Sequence, residues 1–158
     1  IHLDCSEGCA GEAAQLPDAV TVPRAAELAL TCRDAGGDLL YVVGTEVPPP
    51  GGARADEDGD IPATTPAAAR ATLDAHVEAF RDIGRIGGLV VQPGVEFSPM
   101  RVHYLPLSRD PGLRAAVAHH PGVCLEAHST DYQHPAAYPR LAELGFAFQK
   151  VGPALTFA

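Results

Sequence analysis

The feature that most constrains this chain is an alternation. Apolar runs of strand length recur at residues 1–4, 39–43, 87–91, 123–126 and 146–150, separated by segments with helical signals. A helix is expected over 22–34, with Thr21 as N-cap and Pro23 in its first turn. Its apolar positions Ala25, Leu28, Ala29 and Cys32 recur at helical spacing. A second is expected from the Thr65 cap, with Pro66 behind it, to about Ile83. A third lies within 106–120, capped by Asp110 with Pro111 at its first position. A short fourth covers 135–144 and contains Pro139. Five strands alternating with four helices imply right-handed βαβ units and a parallel sheet. Uninterrupted apolar runs such as Leu39-Leu40-Tyr41-Val42-Val43 suit strands covered on both faces. The pattern leaves open whether the sheet closes into a barrel or stays open and doubly wound.

With 158 residues, 46% of them apolar, the chain is long enough for one domain with a sizeable core. Its formal charge of −9 argues against nucleic acid as a partner, because binding a phosphate backbone needs a basic face. A small phosphorylated ligand is still open to it, since a few amides and one lysine can hold it. No apolar run reaches the roughly 18 residues that would span a membrane. No basic-then-apolar leader precedes Ile1, and Cys5, Cys9, Cys32 and Cys124 follow no zinc or redox spacing. These are read as reduced thiols, and the expected location is cytoplasmic. Ile1 already reads as strand, and Leu155-Thr156-Phe157-Ala158 as a loop entering a helix, so the expectation is a partial copy of a longer fold.

Polar residues gather where the expected strands end. Asp4 and Ser6 follow the first, Thr45 and Glu46 the second, Gln92 and Glu96 the third. Glu126, His128, Ser129, Thr130 and Asp131 close the fourth, and Lys150 the fifth. In a parallel α/β fold these ends share one rim, where ligands bind. Glu126 and His128, two apart on a strand, can face the same side and would suit a divalent metal such as zinc. The alternative is a strand-end histidine bonded to its neighbouring carboxylate. Glu46 or Asp4 could act as general base, or simply form a loop ion pair. Ser129, Thr130, Lys150 and Gly152 are candidates for holding phosphate, against ordinary turn chemistry. His76, His119, His120 and His134 are read as surface residues. There is no dinucleotide fingerprint, no Walker A loop and no Gly-x-Ser-x-Gly elbow, which argues against a nicotinamide enzyme, a P-loop kinase and a serine hydrolase.

Five segments, in order along the chain, carry a resemblance. They are Ile1-His2-Leu3-Asp4 with Cys9-Ala10-Gly11, residues 41–48 with Pro50-Gly51-Gly52, and residues 90–97 with His103-Tyr104. Then come Glu126-Ala127-His128-Ser129-Thr130-Asp131-Tyr132-Gln133 and residues 150–158. Together they resemble the Z subunits of tagatose-bisphosphate aldolase, the GatZ/KbaZ family. The resemblance implies a TIM-type (β/α)8 barrel related to class II zinc aldolases, of which this chain would cover about strands four to eight. It implies a subunit that the catalytic Y subunit of D-tagatose-1,6-bisphosphate aldolase needs for activity and stability, in carbohydrate catabolism through tagatose 6-phosphate. The alternative it carries is a zinc-dependent 4-epimerase or aldolase of ketohexose phosphates working by retro-aldol chemistry. By the class II pattern His128 resembles a zinc ligand, residues 150–156 a phosphate segment, and Asp4 the carboxylate after the fourth strand. A further ligand of the family's Asp-His motif would lie on a strand absent here.

Overall fold

The computed structural model describes residues 1–13, 16–44 and 61–156. The elements run α1 (Asp18–Asp34), β1 (Leu40–Val43), α2 (Pro66–Ala79), β2 (Arg85–Val90), β3 (Glu96–Phe97) and β4 (Val102–His103). They continue with α3 (Arg114–Val117), β5 (Cys124–Ala127), α4 (Ala137–Glu143), β6 (Phe146–Gln149) and α5 (Pro153–Thr156). Four strands form one parallel sheet in the order β1-β2-β5-β6. The expected first strand joins its edge as a single parallel bridge between His2 and Val42, with Leu3 N–H donating to Val42 and Val42 N–H to Ile1. Spatial order therefore follows chain order, with none of the reversal that a doubly wound sheet has.

The period of two decides what each face holds. Leu3, Tyr41, Val43, Leu89, Val91, Leu125, Ala127 and Phe146 point to the helix side and share the core with Ala25, Ala29, Ala69, Leu73, Phe80 and Leu141. The helix α1 packs on α2 and α2 on α3, so the three stand in one row. Residues between those core positions, such as Val42, Gly88, Val90 and Glu126, point to the opposite face. Gly88 packs closely there: a Cβ would lie 3.1 Å from a Val42 methyl, which would have to give by a few tenths of an ångström.

Three helix boundaries differ from expectation. α1 starts at Asp18, after Pro17, and Thr21 is buried inside it rather than capping it. Asp18 is the better start: it places a carboxylate in the first turn, where the helix dipole favours it. Its Oδ2 also accepts from the Thr72 hydroxyl at 2.9 Å, which ties α1 to α2. α2 has the expected Thr65 cap, accepting from Ala68 N–H at 3.2 Å, but ends at Ala79. The third helix shrinks to Arg114–Val117, because Gly112 at φ 72° interrupts the segment after Asp110. The β3–β4 hairpin had no counterpart in the sequence reading; its strands are two residues each, too short for a period to register. The long segment 45–60, with Thr45 and Glu46, lies outside the described residues.

Candidate metal centre

β5 ends in Glu126-Ala127-His128. Leu125 and Ala127 are drawn to the core, so Glu126 and His128 turn to the other face. His128 Nε2 and Glu126 Oε1 are 2.7 Å apart and both side chains are nearly buried. The third member comes from the far edge of the sheet. His2, on the bridged first strand, brings Nε2 to 3.9 Å from the same Glu126 oxygen and sets its ring edge-on to His128, with centroids 5.1 Å apart. Two strands separate His2 from Glu126, about 14 Å in a flat sheet at ~4.8 Å per step. Side chains standing upright on a flat sheet would not meet, so the sheet curls with this face concave.

One donor atom from each of His2, Glu126 and His128 lies within 4.8 Å of the others. Two imidazoles and one carboxylate are a donor set that suits zinc. Burial lowers the His2 pKa; the His128 and Lys150 charges act in the same sense, while Glu126 and Asp4 oppose them. Burial pushes the Glu126 carboxyl up, but the hydrogen bond from His128 and the charges of His2, His128 and Lys150 outweigh it, and the net value is lowered. Neutral imidazole and ionised carboxylate are the forms that bind a metal.

The remaining candidates are placed as follows. Asp4 is exposed on the same rim, and its Oδ1 accepts from both the N–H and the hydroxyl of Ser6. Glu46 is outside the described residues. Ser129 is buried with φ 51°. Thr130 is fully buried; its N–H and its hydroxyl both donate to the Lys150 carbonyl. Lys150 is exposed, with its charge felt at His2 and Glu126. The Gly152 N–H donates to the carboxylate of buried Asp131, which also accepts from Ala154 N–H at 2.9 Å. The structure thus gathers Glu126, His128, Asp4 and Lys150 around one concavity, while the Thr130 hydroxyl and the Gly152 amide are engaged within the protein.

Sequence reasoning missed His2, although a signal was there. Leu3 reads as a core residue, so strand alternation sends His2 to the opposite face, the one Glu126 takes. It also read His76 as a surface residue. His76 is buried in α2, its Nδ1 2.8 Å from the Thr72 carbonyl. Asp131 was visible as a rim residue and Gln133 was not; the hydrogen-bonding roles of both depend on loops that meet only in the fold.

Fold and site define a parallel α/β protein whose polar rim offers the donors for a divalent ion. A family model, D-tagatose-1,6-bisphosphate aldolase subunit GatZ/KbaZ-like, matches residues 1–158, and the chain belongs to that family. Among solved structures it is similar to a probable tagatose 6 phosphate kinase from Sinorhizobium meliloti 1021, with 43% identity and a TM-score of 0.79 over 99% of this chain. The chain spans 38% of that protein's chain. Among the described residues, no helix is long and apolar enough to cross a membrane.

Proposed function

We propose that this chain is part of a subunit of D-tagatose-1,6-bisphosphate aldolase, required by the catalytic Y subunit for activity and stability in tagatose breakdown. The family match over residues 1–158 supports this reading. In it, the chain is one domain and an arc of a (β/α)8 barrel. Support comes from the unreversed strand order, the single row of helices and the curl that brings His2 to Glu126.

A second reading is favoured by the His2–Glu126–His128 cluster: a zinc-dependent 4-epimerase or aldolase of ketohexose phosphates. A pure support subunit has no physical need to bury Glu126 and His128 and bring His2 up against them. When bound, zinc supplies Lewis-acid polarisation of a ketose carbonyl and its neighbouring hydroxyl. His2, Glu126 and His128 would hold it, in exchange for the hydrogen bond between His128 and Glu126. Asp4 or Glu46 would take the C4 hydroxyl proton. The C3–C4 bond then breaks and its electron pair passes to the C2 carbonyl oxygen. Asp4 has one carboxylate oxygen left for this after the two bonds from Ser6. Lys150 and Ser129 would hold the terminal phosphate. Thr130 and Gly152 would join them only by exchanging their bonds to the Lys150 carbonyl and to Asp131.

The deciding experiment uses the full-length protein purified alone: zinc content by elemental analysis, then conversion of fructose 6-phosphate to tagatose 6-phosphate. Stoichiometric zinc that is lost in His128→Ala, together with turnover, supports the second reading. No zinc and no turnover, with aldolase activity rising only when the catalytic subunit is added, removes the second and leaves the first.

A further inference from the structure

A pocket of about 740 Å³ opens on the same rim, between the β3–β4 hairpin and the loops after β5 and β6. Phe97, Ser98, Met100, Arg101, Tyr104 and Tyr132 line it, with Pro153 at one edge. Its size is that of a small-molecule site. Three aromatic rings, two of them phenols, with a guanidinium and the Ser98 hydroxyl make a lining with flat apolar faces and a few polar groups. Such a lining matches a ligand with a C–H face and polar substituents, as a sugar has.

The backbone at Tyr132 singles that residue out. Its φ is 58°, a region that a non-glycine residue with a bulky side chain rarely adopts. Both neighbours enforce it. Asp131, 2% exposed, holds the N–H groups of Gly152 and Ala154. Gln133, 6% exposed, accepts from Leu105 N–H at 2.9 Å and donates to the His103 carbonyl at 3.0 Å. These two side chains tie the hairpin and the loop after β6 to the loop after β5, so the pocket's three walls are fixed to one another before any ligand arrives. Between them the Tyr132 ring is pushed outward. It touches Phe97 edge-on, centroids 5.5 Å apart, and remains 50% exposed. A half-exposed ring adds little to a core, so packing does not account for the strain retained at this position. Strained backbone that its surroundings enforce tends to mark ligand sites.

The geometry points to Tyr132 as the ring on which the ligand of this rim stacks, and to that ligand as a polyhydroxylated carbohydrate laid with its C–H face on the tyrosine. This rests on the ketohexose reading above and adds the residue that recognises the sugar rather than its phosphate. The test is calorimetric titration of full-length protein with D-fructose 6-phosphate and with inorganic phosphate, for wild type, Tyr132→Phe and Tyr132→Gly. The phenylalanine variant keeps the ring and should bind the sugar phosphate within about twofold of wild type. The glycine variant relieves the positive φ, so it should melt no lower than about the wild-type temperature, yet bind the sugar phosphate at least tenfold more weakly. Inorganic phosphate affinity should be the same in all three. Wild-type affinity in Tyr132→Gly would overturn the stacking role and leave the ketohexose reading standing. Weakened binding of inorganic phosphate together with a lowered melting temperature would also overturn it, by making the ring a structural support. Failure of wild type to bind the sugar phosphate would overturn both.

Discussion

At the lower end of the sheet, where β1, β2 and β5 begin, charge meets charge in water. Arg85 pairs with Asp38 at 2.9 Å and Arg81 pairs with Glu78, all four side chains largely exposed. At the upper end, beside the exposed Asp4 and Lys150, a set of polar side chains is buried: Glu126, His128, Ser129, Thr130, Asp131 and Gln133 all lie within the molecule. Both non-glycine residues with positive φ among the described residues, Ser129 and Tyr132, are also there. One sheet and one core serve both ends, so the core does not demand the difference. Burying polar groups costs free energy unless every one finds a partner. The upper end meets that condition with partners inside the protein, and the lower end avoids it by leaving its pairs solvated. Holding groups out of water in fixed positions is what a ligand site requires, and among the described residues the upper end does so.

The contrast is broken most directly at Asp131. Replacement by Ala removes the acceptor for the Gly152 and Ala154 N–H groups and leaves them without a partner in a partly buried loop. The expected loss is about 3 kcal/mol in urea unfolding, as for other charge-assisted bonds whose donors stay buried. Asp131→Asn keeps one acceptor oxygen and should lose about half as much. A loss below about 0.5 kcal/mol for Asp131→Ala would put the upper end on the same footing as an ordinary surface and would end the comparison.

How much of this could be read in the sequence follows from the range of the interactions involved. The four strands of the main sheet were legible because Leu39-Leu40-Tyr41-Val42-Val43 and its counterparts are local, continuous and apolar. The rim was legible because parallel strands put all their carboxyl ends together. Glu126 and His128 were legible as a pair because two residues on a strand share a face. His2 joins them only through curvature across two intervening strands, which no local pattern encodes. The Asp131 and Gln133 bonds likewise span 21 to 30 residues of chain. The start of α1 was misread because Thr21-Val22-Pro23 imitates a cap and first turn, while Asp18 gains its advantage from Thr72 on another helix.

His76 tests whether burial of a titratable group matters away from the rim. It sits in the middle of the α2 packing, against Phe80, with ring centroids 6.2 Å apart. Burial lowers its pKa, and the Thr72 carbonyl and Asp18 only partly offset this. The sign follows. Below an ordinary histidine value of about 6.5, the unfolded chain binds a proton that the folded chain refuses, so stability falls as pH drops. The slope is at most about 1.4 kcal/mol per pH unit for one proton. Above that value His76 is neutral in both states and contributes no slope. In denaturant midpoints measured from pH 8 down to pH 5, His76→Gln should flatten the acid side relative to wild type. Parallel curves for the two proteins would mean that the acid sensitivity belongs to the rim, where burial lowers the pKa of His2 in the same way.

The smallest effect is expected where the comparison began. Arg85 and Asp38 are 66% and 85% exposed at their side chains. Their attraction is weakened by water and further by salt, because the Debye length at physiological ionic strength is about 8 Å. Ordering two long side chains also costs entropy. Arg85→Ala should therefore change the unfolding free energy by no more than about 0.5 kcal/mol, and that small change should shrink further in molar salt. A loss approaching that of Asp131→Ala, and insensitive to salt, would show that the aliphatic part of Arg85 packs at the mouth of the lower groove it lines with Phe80, Ile86 and Val123. In that case the lower end would owe its stability to covered apolar surface, and the two ends would differ in what they bury rather than in whether they bury anything.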